Sequence, residues 1–408
     1  MAPIPPPPAR RQRALDMVTF FVADVQTGFG PFVAVYLTTQ KWTQVEIGFV
    51  LTLGTVTSLL SQLPAGVLVD SMRSKRRAAG GALVGIIIAA LLLAVWPAKL
   101  PVILAQILHG FASCVLTPAI ATISLNLVGH AALGERLGRN ARWASIGNGL
   151  TAAVMGASGA YFSSRSVFFM TAILCVPALI ALVAVGRGQH GQKQTNAPLL
   201  DRVGLRALVT DRRLLAFAGC VVLFHLSNAA MLPLAGGAVT MHAGDAANLI
   251  IAASIVVPQA VVAVLSPWVG RAAERFGRRR LLVLGWAALP LRGILLALLP
   301  TTWLLVPVQA ISGVSAAVFG VMLPLLAADI TRGTAHFNLC MGFLGLAVHV
   351  GAAISTTMGG AIADTIGMSV AFAVLALVGW VGTLMVWKIM PETRVRAPAI
   401  GPTSAVPV

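Results

Sequence analysis

The chain has 408 residues, of which 58% are hydrophobic and only 10% are charged, and its formal net charge is +17. Soluble globular domains carry about 25% charged residues, so this composition excludes an ordinary soluble enzyme. Intrinsic disorder is also excluded, because it requires low hydrophobicity and dense charge. The class that remains is a polytopic membrane protein.

Long apolar runs rich in Gly and Ala follow one another along the chain, and they are continuous rather than alternating. A helix needs about 20 apolar residues to cross the hydrocarbon, whereas barrel strands alternate polar and apolar residues. The sequence therefore predicts an all-α membrane protein with twelve transmembrane helices. The predicted spans are 14–37, 45–69, 79–96, 101–126, 140–161, 165–186, 213–237, 247–270, 281–299, 302–327, 339–361 and 368–389.

The N-terminal tail, residues 1–13, is a proline run followed by three arginines. The apolar run after it is too long for a signal peptide, contains Asp24 and lacks a clear cleavage site. We therefore expect span 1 to remain as the first membrane helix.

The four cysteines each lie inside an apolar run, and no two have the spacing of metal ligands. We interpret them as small buried side chains and expect no metal site.

Basic residues are distributed very unevenly between the two sides of the predicted spans. With the N-terminus inside, the cytoplasmic segments hold 25 of the 29 Lys and Arg residues, the outer loops hold 3, and Arg292 lies within span 9. This strong positive-inside bias predicts a multi-pass protein of the bacterial inner membrane with both termini cytoplasmic. Topology and anionic lipid thus explain the net charge, and a nucleic-acid partner is not expected.

An internal repeat divides the chain. The loop that closes span 2 recurs after span 8, from Gly66 to Gly270, at an offset of 204 residues, and Gln106 at the start of span 4 recurs as Gln309 at an offset of 203. The repeat predicts two six-helix halves in the same orientation, with a substrate site between them near the bilayer midplane. The domains are then a tail at 1–13, halves at 14–186 and 213–389, a cytoplasmic loop at 187–212 and a tail at 390–408.

These loops resemble the motif Gly-x-Leu-x-Asp-Arg-x-Gly-Arg-Lys of the major facilitator superfamily, and the resemblance covers nearly the whole chain. In the first copy Arg73 replaces the second Gly of the motif, and in the second copy Glu274 replaces its Asp. The gating-loop residues that the resemblance implies are Gly66, Asp70, Arg73, Gly270, Glu274, Gly277, Arg278 and Asp329. The fold it implies is two pseudo-symmetric six-helix bundles.

The resemblance also predicts an ion pair at the cytoplasmic end of the second half, between Arg278 and Asp329. The equivalent positions of the first half, Ser74 and Asn126, are both neutral. Losing both partners avoids leaving a partly buried charge unpaired. The alternative is a set of independent solvated charges at the membrane surface.

Asp24 is the one acid that lies well inside a predicted span. Such a group costs roughly 2.5–3.5 kcal/mol to insert and marks a functional hypothesis by default. We predict that Asp24 binds the coupling proton or a cationic substrate group, with His225 of span 7 as a second proton-coupling candidate. The alternative for Asp24 is a hydrogen-bonded carboxyl that holds the halves together.

Polar residues within the spans provide candidates for substrate binding, although such residues also join helices by hydrogen bonds. Arg142 could alternatively extend to the cytoplasmic headgroups, and Arg292 is expected to pack inside its bundle. The glycines of spans 5 and 11 are interpreted as sites where helices approach and slide. The predicted substrate-binding residues are Gln26, Asn148, Asn228, Gln259 and Arg142.

The function predicted from these features is a monomeric secondary transporter that moves a small organic solute by alternating access. It is not an enzyme, it needs no cofactor, and its coupling ion is expected to be H⁺. Efflux by antiport is slightly favoured, although Gln106 and a span 5 without proline depart from the pattern of drug exporters. The alternative is proton-coupled uptake, and an integral membrane enzyme or sensor is a remote third.

Overall fold

The computed structural model describes residues 8–27, 29, 31–186, 206, 210–242, 247–298 and 304–393. This part of the chain is helical, without strands, and ten candidate membrane spans can be recognised in it by length and hydropathy. Its α-helices are α1 (Ala9–Thr27), α2 (Pro31–Thr39), α3 (Gln44–Ser71), α4 (Lys75–Val95), α5 (Lys99–Val128), α6 (Leu133–Tyr161), α7 (Ser166–Val185), α8 (Arg212–Asn228), α9 (Met231–His242), α10 (Ala247–Phe276), α11 (Arg278–Leu298), α12 (Leu305–Ile330), α13 (Phe337–Thr365) and α14 (Met368–Ile389).

The helices match the twelve predicted spans, except that spans 1 and 7 are not continuous. Span 1 is divided into α1 and α2, and span 7 into α8 and α9. Proline is favoured in the first turn of a helix, because its missing N–H has no intrahelical partner there. This accounts for the start of α2 at Pro31 and for Pro233 in the first turn of α9. At the break in span 7 the backbone N–H of Ala230 finds a partner inside the protein, because it donates to the Ser355 hydroxyl of α13 at 3.0 Å.

Helix α6 begins at Leu133, seven residues before the predicted start of span 5. The prediction treated Arg136 and Arg139 as loop residues. Both instead pair with the buried Asp16 of α1, at 2.5 Å from Arg136 Nη2 to Oδ1 and 2.9 Å from Arg139 Nε to the same oxygen. Pairing with the Asp16 carboxylate offsets the cost of placing these arginines in the helix. The cluster therefore joins α1 to α6.

Each half has its own hydrophobic core, and the two cores merge at one end of the molecule. This is the end that carries Arg73 and Arg278, and we call it the arginine end. Here the main cluster of the second half includes Ala121, Leu133 and Leu137 of the first half. Between the halves, α3 packs against α13 and α6 against α10.

Arg292 is buried inside the second half with 1% of its surface exposed. Its Nη1 donates to Asn228 Oδ1 at 2.6 Å, and its Nε has no hydrogen-bond partner among the described residues. The expectation that Arg292 packs inside its bundle is confirmed. A buried charge with one neutral partner is poorly compensated, because its desolvation outweighs a single hydrogen bond.

We predict that Arg292→Met leaves stability unchanged or raises it, because a buried ion is replaced by an apolar chain of similar length. Asn228→Leu is expected to destabilise the protein by about 1–3 kcal/mol, because it leaves the guanidinium without its one described partner. Thermal unfolding of the purified variants in detergent measures both effects. A loss of stability in Arg292→Met as large as that in Asn228→Leu would contradict this account.

Candidate functional site: the gate and cavity between the halves

The two halves touch through glycines at the arginine end. A Cβ on Gly66 of α3 would lie 2.4 Å from the Asn338 carbonyl oxygen, and one on Gly342 of α13 would lie 2.3 Å from that of Gln62. Real Cβ atoms do not approach so closely, so only glycine permits these backbones to meet. We call this the α3–α13 crossing.

The same contacts recur 204 residues away in sequence, between α6 and α10. A Cβ on Gly270 would lie 2.2 Å from the Gly134 carbonyl oxygen, and one on Gly138 would lie 2.3 Å from that of Ser266. The internal repeat is therefore present in the contacts themselves. The two crossings together form what we call the gate, and it is closed in this structure.

Asp70 links the halves at the α3–α13 crossing. Its Oδ1 accepts from the backbone N–H of Asn338 at 3.1 Å and from Asn338 Nδ2 at 2.6 Å, and its Oδ2 accepts from the Leu339 N–H at 2.8 Å. The carboxylate thus caps the N-terminus of α13, where backbone N–H groups and the helix dipole favour a negative charge. Thr122 of α5 extends the link by donating to Asn338 Oδ1 at 2.6 Å.

Glu274, the repeat equivalent of Asp70, does not make the corresponding link. It lies opposite Gly134, which has no side chain to offer, whereas Asp70 lies opposite Asn338. Its Oε2 instead accepts from Arg278 Nη1 at 3.0 Å within its own half. The two crossings therefore share backbone packing but differ in polar attachment.

The predicted ion pair of the second half is present. Arg278 Nε lies 3.1 Å from Asp329 Oδ2, and both side chains are buried. Gly277 precedes this pair with φ at 96°, a left-handed conformation that favours glycine. Its repeat equivalent, Arg73, is exposed and has no positive φ, so the loop of the first half turns differently.

Arg142 contacts the other half. Pro267 has no N–H to donate to the Ala263 carbonyl four residues earlier in α10. Arg142 Nε, from α6, donates to that carbonyl at 2.9 Å. A candidate binding residue thus lies at the α6–α10 crossing, where it replaces a missing helical hydrogen bond.

A cavity of about 310 Å³ lies immediately beyond the α3–α13 crossing, with Gln62 and Gly342 among its walls. Both halves contribute to it, and its surface combines hydroxyl, amide, imidazole and apolar groups. The first half supplies Ser58, Gln62, Ser113, Cys114, Thr117 and Pro118, and the second half supplies Phe319, Leu323, Met341, Gly342, Gly345, Val348 and His349.

Two pairs of these wall residues carry a pattern that could have identified them. Ser58 and Gln62 of α3 are four residues apart, as are Ser113 and Thr117 of α5. Residues at this spacing share one face of a helix, so a polar pair within an apolar span indicates a wetted or buried polar face. None of these four residues is among the binding residues predicted from the sequence.

The histidine on the cavity wall is His349, whose Nδ1 lies 2.8 Å from the Gly345 carbonyl oxygen. The candidate His225 lies behind it, with its ring 4.9 Å from that of Phe319, which lines the cavity. His225 Nε2 is buried and makes no hydrogen bond to a described residue.

The other sequence candidates lie apart from the walls of this cavity. Asn228 binds Arg292, while Asn148 of α6 and Gln259 of α10 are half-buried on helices that form the gate. The side chains of Asp24 and Gln26 lie outside the described residues, although their backbone belongs to α1.

Comparisons with known proteins agree on one family. The family model described as Major Facilitator Superfamily matches residues 15–257 and 239–408. An uncharacterized MFS-type transporter from two strains of Mycobacterium tuberculosis is 33% identical over 410 residues, which cover 97% of this chain and 98% of the relative.

Solved transporter structures share the fold at low sequence identity. The proton:xylose symporter XylE superposes with a TM-score of 0.71 at 14% identity, over 94% of this chain and 96% of its own. The fucose:proton symporter FucP of E. coli gives 0.72 at 15% identity, over 92% and 97%. The human organic anion transporter TETRAN gives 0.69 at 14% identity, over 93% and 100%. With two repeated halves meeting at a shared cavity, the chain belongs to the Major Facilitator Superfamily and is a multi-pass membrane transporter.

Proposed function

We propose that the chain is a secondary active transporter that exports a small organic solute in exchange for protons, by alternating access. The observation that carries the proposal is the pair of glycine crossings between the halves, one of which borders a cavity that both halves line. The positive-inside rule assigns the arginine end to the cytoplasm. The gate is then the cytoplasmic gate, and the described state is closed to the cytoplasm.

Rocking of the halves requires contacts that can be broken and remade. The crossings rest on backbone against backbone, without interlocking large side chains, so the helices can part and slide. The polar links that cross between the halves at the gate include those of Asp70 to α13 and of Arg142 to Ala263. The ion pairs of Asp16 and Arg278 lie within single halves and can persist as the gate opens.

The residues that line the cavity favour a small and largely uncharged solute. Its described walls carry no acidic side chain and no Lys or Arg, while Phe319, Met341 and Pro118 offer polarisable apolar surface. Hydroxyl, amide and imidazole groups can orient such a solute by hydrogen bonds. Binding sites for small molecules have volumes of roughly 300–1,000 Å³, so this cavity is at the small end of that range.

Proton coupling is proposed through Asp24, the intramembrane carboxyl of span 1. A carboxyl that binds a proton in one state and releases it in the other can link the movement of the halves to a pH gradient. The broken first helix of each half supports this proposal, because discontinuous membrane helices commonly mark the sites of substrates and coupling ions in transporters. Helices α1 and α8 both end well inside their spans.

Proteoliposomes with an imposed pH gradient test the function, with a panel of labelled organic compounds as solutes. An antiporter accumulates its solute when the lumen is acidic, whereas an uptake symporter accumulates it when the outside is acidic. Accumulation with an acidic lumen is the expected result. Accumulation with an acidic outside would establish the symport alternative. Equal transport under both gradients would refute proton coupling.

Asp24→Asn is expected to abolish gradient-driven transport while leaving folded protein in the membrane, because an amide cannot carry the proton. Asp364→Asn is the matched control, since Asp364 is an exposed acid near the end of α13. Initial rates in the same proteoliposomes measure both variants. Normal accumulation by Asp24→Asn would refute the coupling role of that residue.

Gly342→Val is expected to hold the gate open, because its Cβ would lie 2.3 Å from the Gln62 carbonyl oxygen. The buried thiol of Cys340 reports the change when the other three cysteines have been replaced. Labelling by an impermeant maleimide from the arginine end should become faster. Gly360→Val on the same helix is the control, because nothing lies within 4 Å of a Cβ there. Equal labelling rates in the two variants would contradict the gate assignment.

Asp70→Asn is also expected to open the gate, since charge-assisted hydrogen bonds are worth about 1.5–3 kcal/mol. The closed-to-open ratio should fall roughly 10- to 100-fold, and the Cys340 labelling rate should rise. Asp329→Asn removes a buried acid of similar exposure whose ion pairs stay within one half, so its labelling should remain slow. Faster labelling in both variants would indicate general loosening rather than loss of a link between halves.

A further inference from the structure

A second and larger cavity, of about 710 Å³, lies at the arginine end of the first half. Its rim is formed by the loop after α3 and the first turn of α4, which carry Arg73, Lys75, Arg76 and Arg77. We propose that this cavity binds the phosphate group of an anionic phospholipid, whose acyl chains lie along α4 and α7.

The positive charge of the rim is not neutralised by the described part of the chain. Arg73, Arg76 and Arg77 form no ion pair with a described acidic side chain. Lys75 is different, because its Nζ donates to three backbone carbonyls at the end of α3, including that of Val69 at 2.7 Å. The three guanidinium groups are therefore the donors left for an anion, and guanidinium is well suited to phosphate.

The second half shows how the equivalent place is used when the chain supplies its own anion. The carboxylate of Glu392 accepts from the backbone N–H groups of Arg278 at 2.9 Å and Arg279 at 3.2 Å, at the start of α11. The Arg278 guanidinium pairs with the carboxylates of Asp329 and Glu274. The start of this helix is thus an anion site that is occupied by carboxylates from α12 and from the segment after α14.

The first half keeps basic residues at two of these positions, with Lys75 and Arg76 equivalent to Arg279 and Arg280, but it lacks the ion pair of this site. The repeat equivalents of Arg278 and Asp329 are Ser74 and Asn126, and both line the cavity. The nearby Asp70 uses its two oxygens on α13. Because Ser74 and Asn126 are neutral together, the unbalanced charge at α4 is that of Arg73, Arg76 and Arg77, and an external anion would neutralise it.

The shape of the cavity favours a lipid over a free phosphate ion. Apart from Asn126, the walls formed by α5 and α7 are apolar and include Leu127, Leu182 and Val183. From there an exposed apolar face runs along α7, where Val183 is 75% and Ile180 is 66% exposed. A phosphate at the rim would thus be continuous with a surface for acyl chains, at the depth where basic residues meet anionic headgroups.

Extraction of the protein in native lipid discs from membranes of defined phosphatidylglycerol and phosphatidylethanolamine content tests the proposal, with bound lipid measured by mass spectrometry. The wild type should be enriched in phosphatidylglycerol over the bulk membrane. The variant Arg73→Gln, Arg76→Gln, Arg77→Gln should lose at least about tenfold of this enrichment, because each basic residue contributes roughly fivefold. The thermal midpoint of the variant confirms that it is folded.

The matched control removes three exposed arginines from the same end of the second half. It is Arg271→Gln, Arg275→Gln, Arg280→Gln, and it should retain the enrichment. Equal losses in the two variants would overturn the proposal, since the preference would then be general surface electrostatics. Displacement of the lipid by millimolar inorganic phosphate would also overturn it, by assigning the site to the free ion. An absence of enrichment in the wild type would do so as well.

Discussion

The close approach of backbones at four glycines is the constraint on which the closed state depends. Gly66 and Gly342 bring α3 onto α13, and Gly138 and Gly270 bring α6 onto α10. Where side chains are absent, two helices can meet at van der Waals distance and still separate without disentangling. The position of the cavity, the capping of α13 by Asp70 and the reach of Arg142 to Ala263 all follow from this approach.

Much of the architecture could be predicted from sequence, because it depends on local or repeated patterns. Apolar run length predicted the spans, and the duplicated loop predicted two halves of the same orientation. The ion pair of Arg278 with Asp329 also followed, since its members occupy family positions of one half. The breaks in spans 1 and 7 were missed, although Pro31 and Pro233 signal them.

The contacts of the site were harder to predict, because they join residues remote in sequence. Asp70 and Asn338 are separated by 268 positions, and no local pattern connects them. Pro267 predicts a free carbonyl at Ala263, but only the folded halves show that Arg142 reaches it. For Asp24 the case still rests on the sequence, because its side chain lies outside the described residues.

The unequal attachment of the two crossings has an evolutionary consequence for a duplicated chain. The carboxylate of Asp70 comes from one copy of the ancestral unit, and the amide of Asn338 comes from the other. A molecule assembled from two first halves would have Asp70 without the amide of Asn338. A molecule assembled from two second halves would place the longer Glu274 opposite Asn338. Each copy has therefore specialised to the other, and the two are no longer interchangeable.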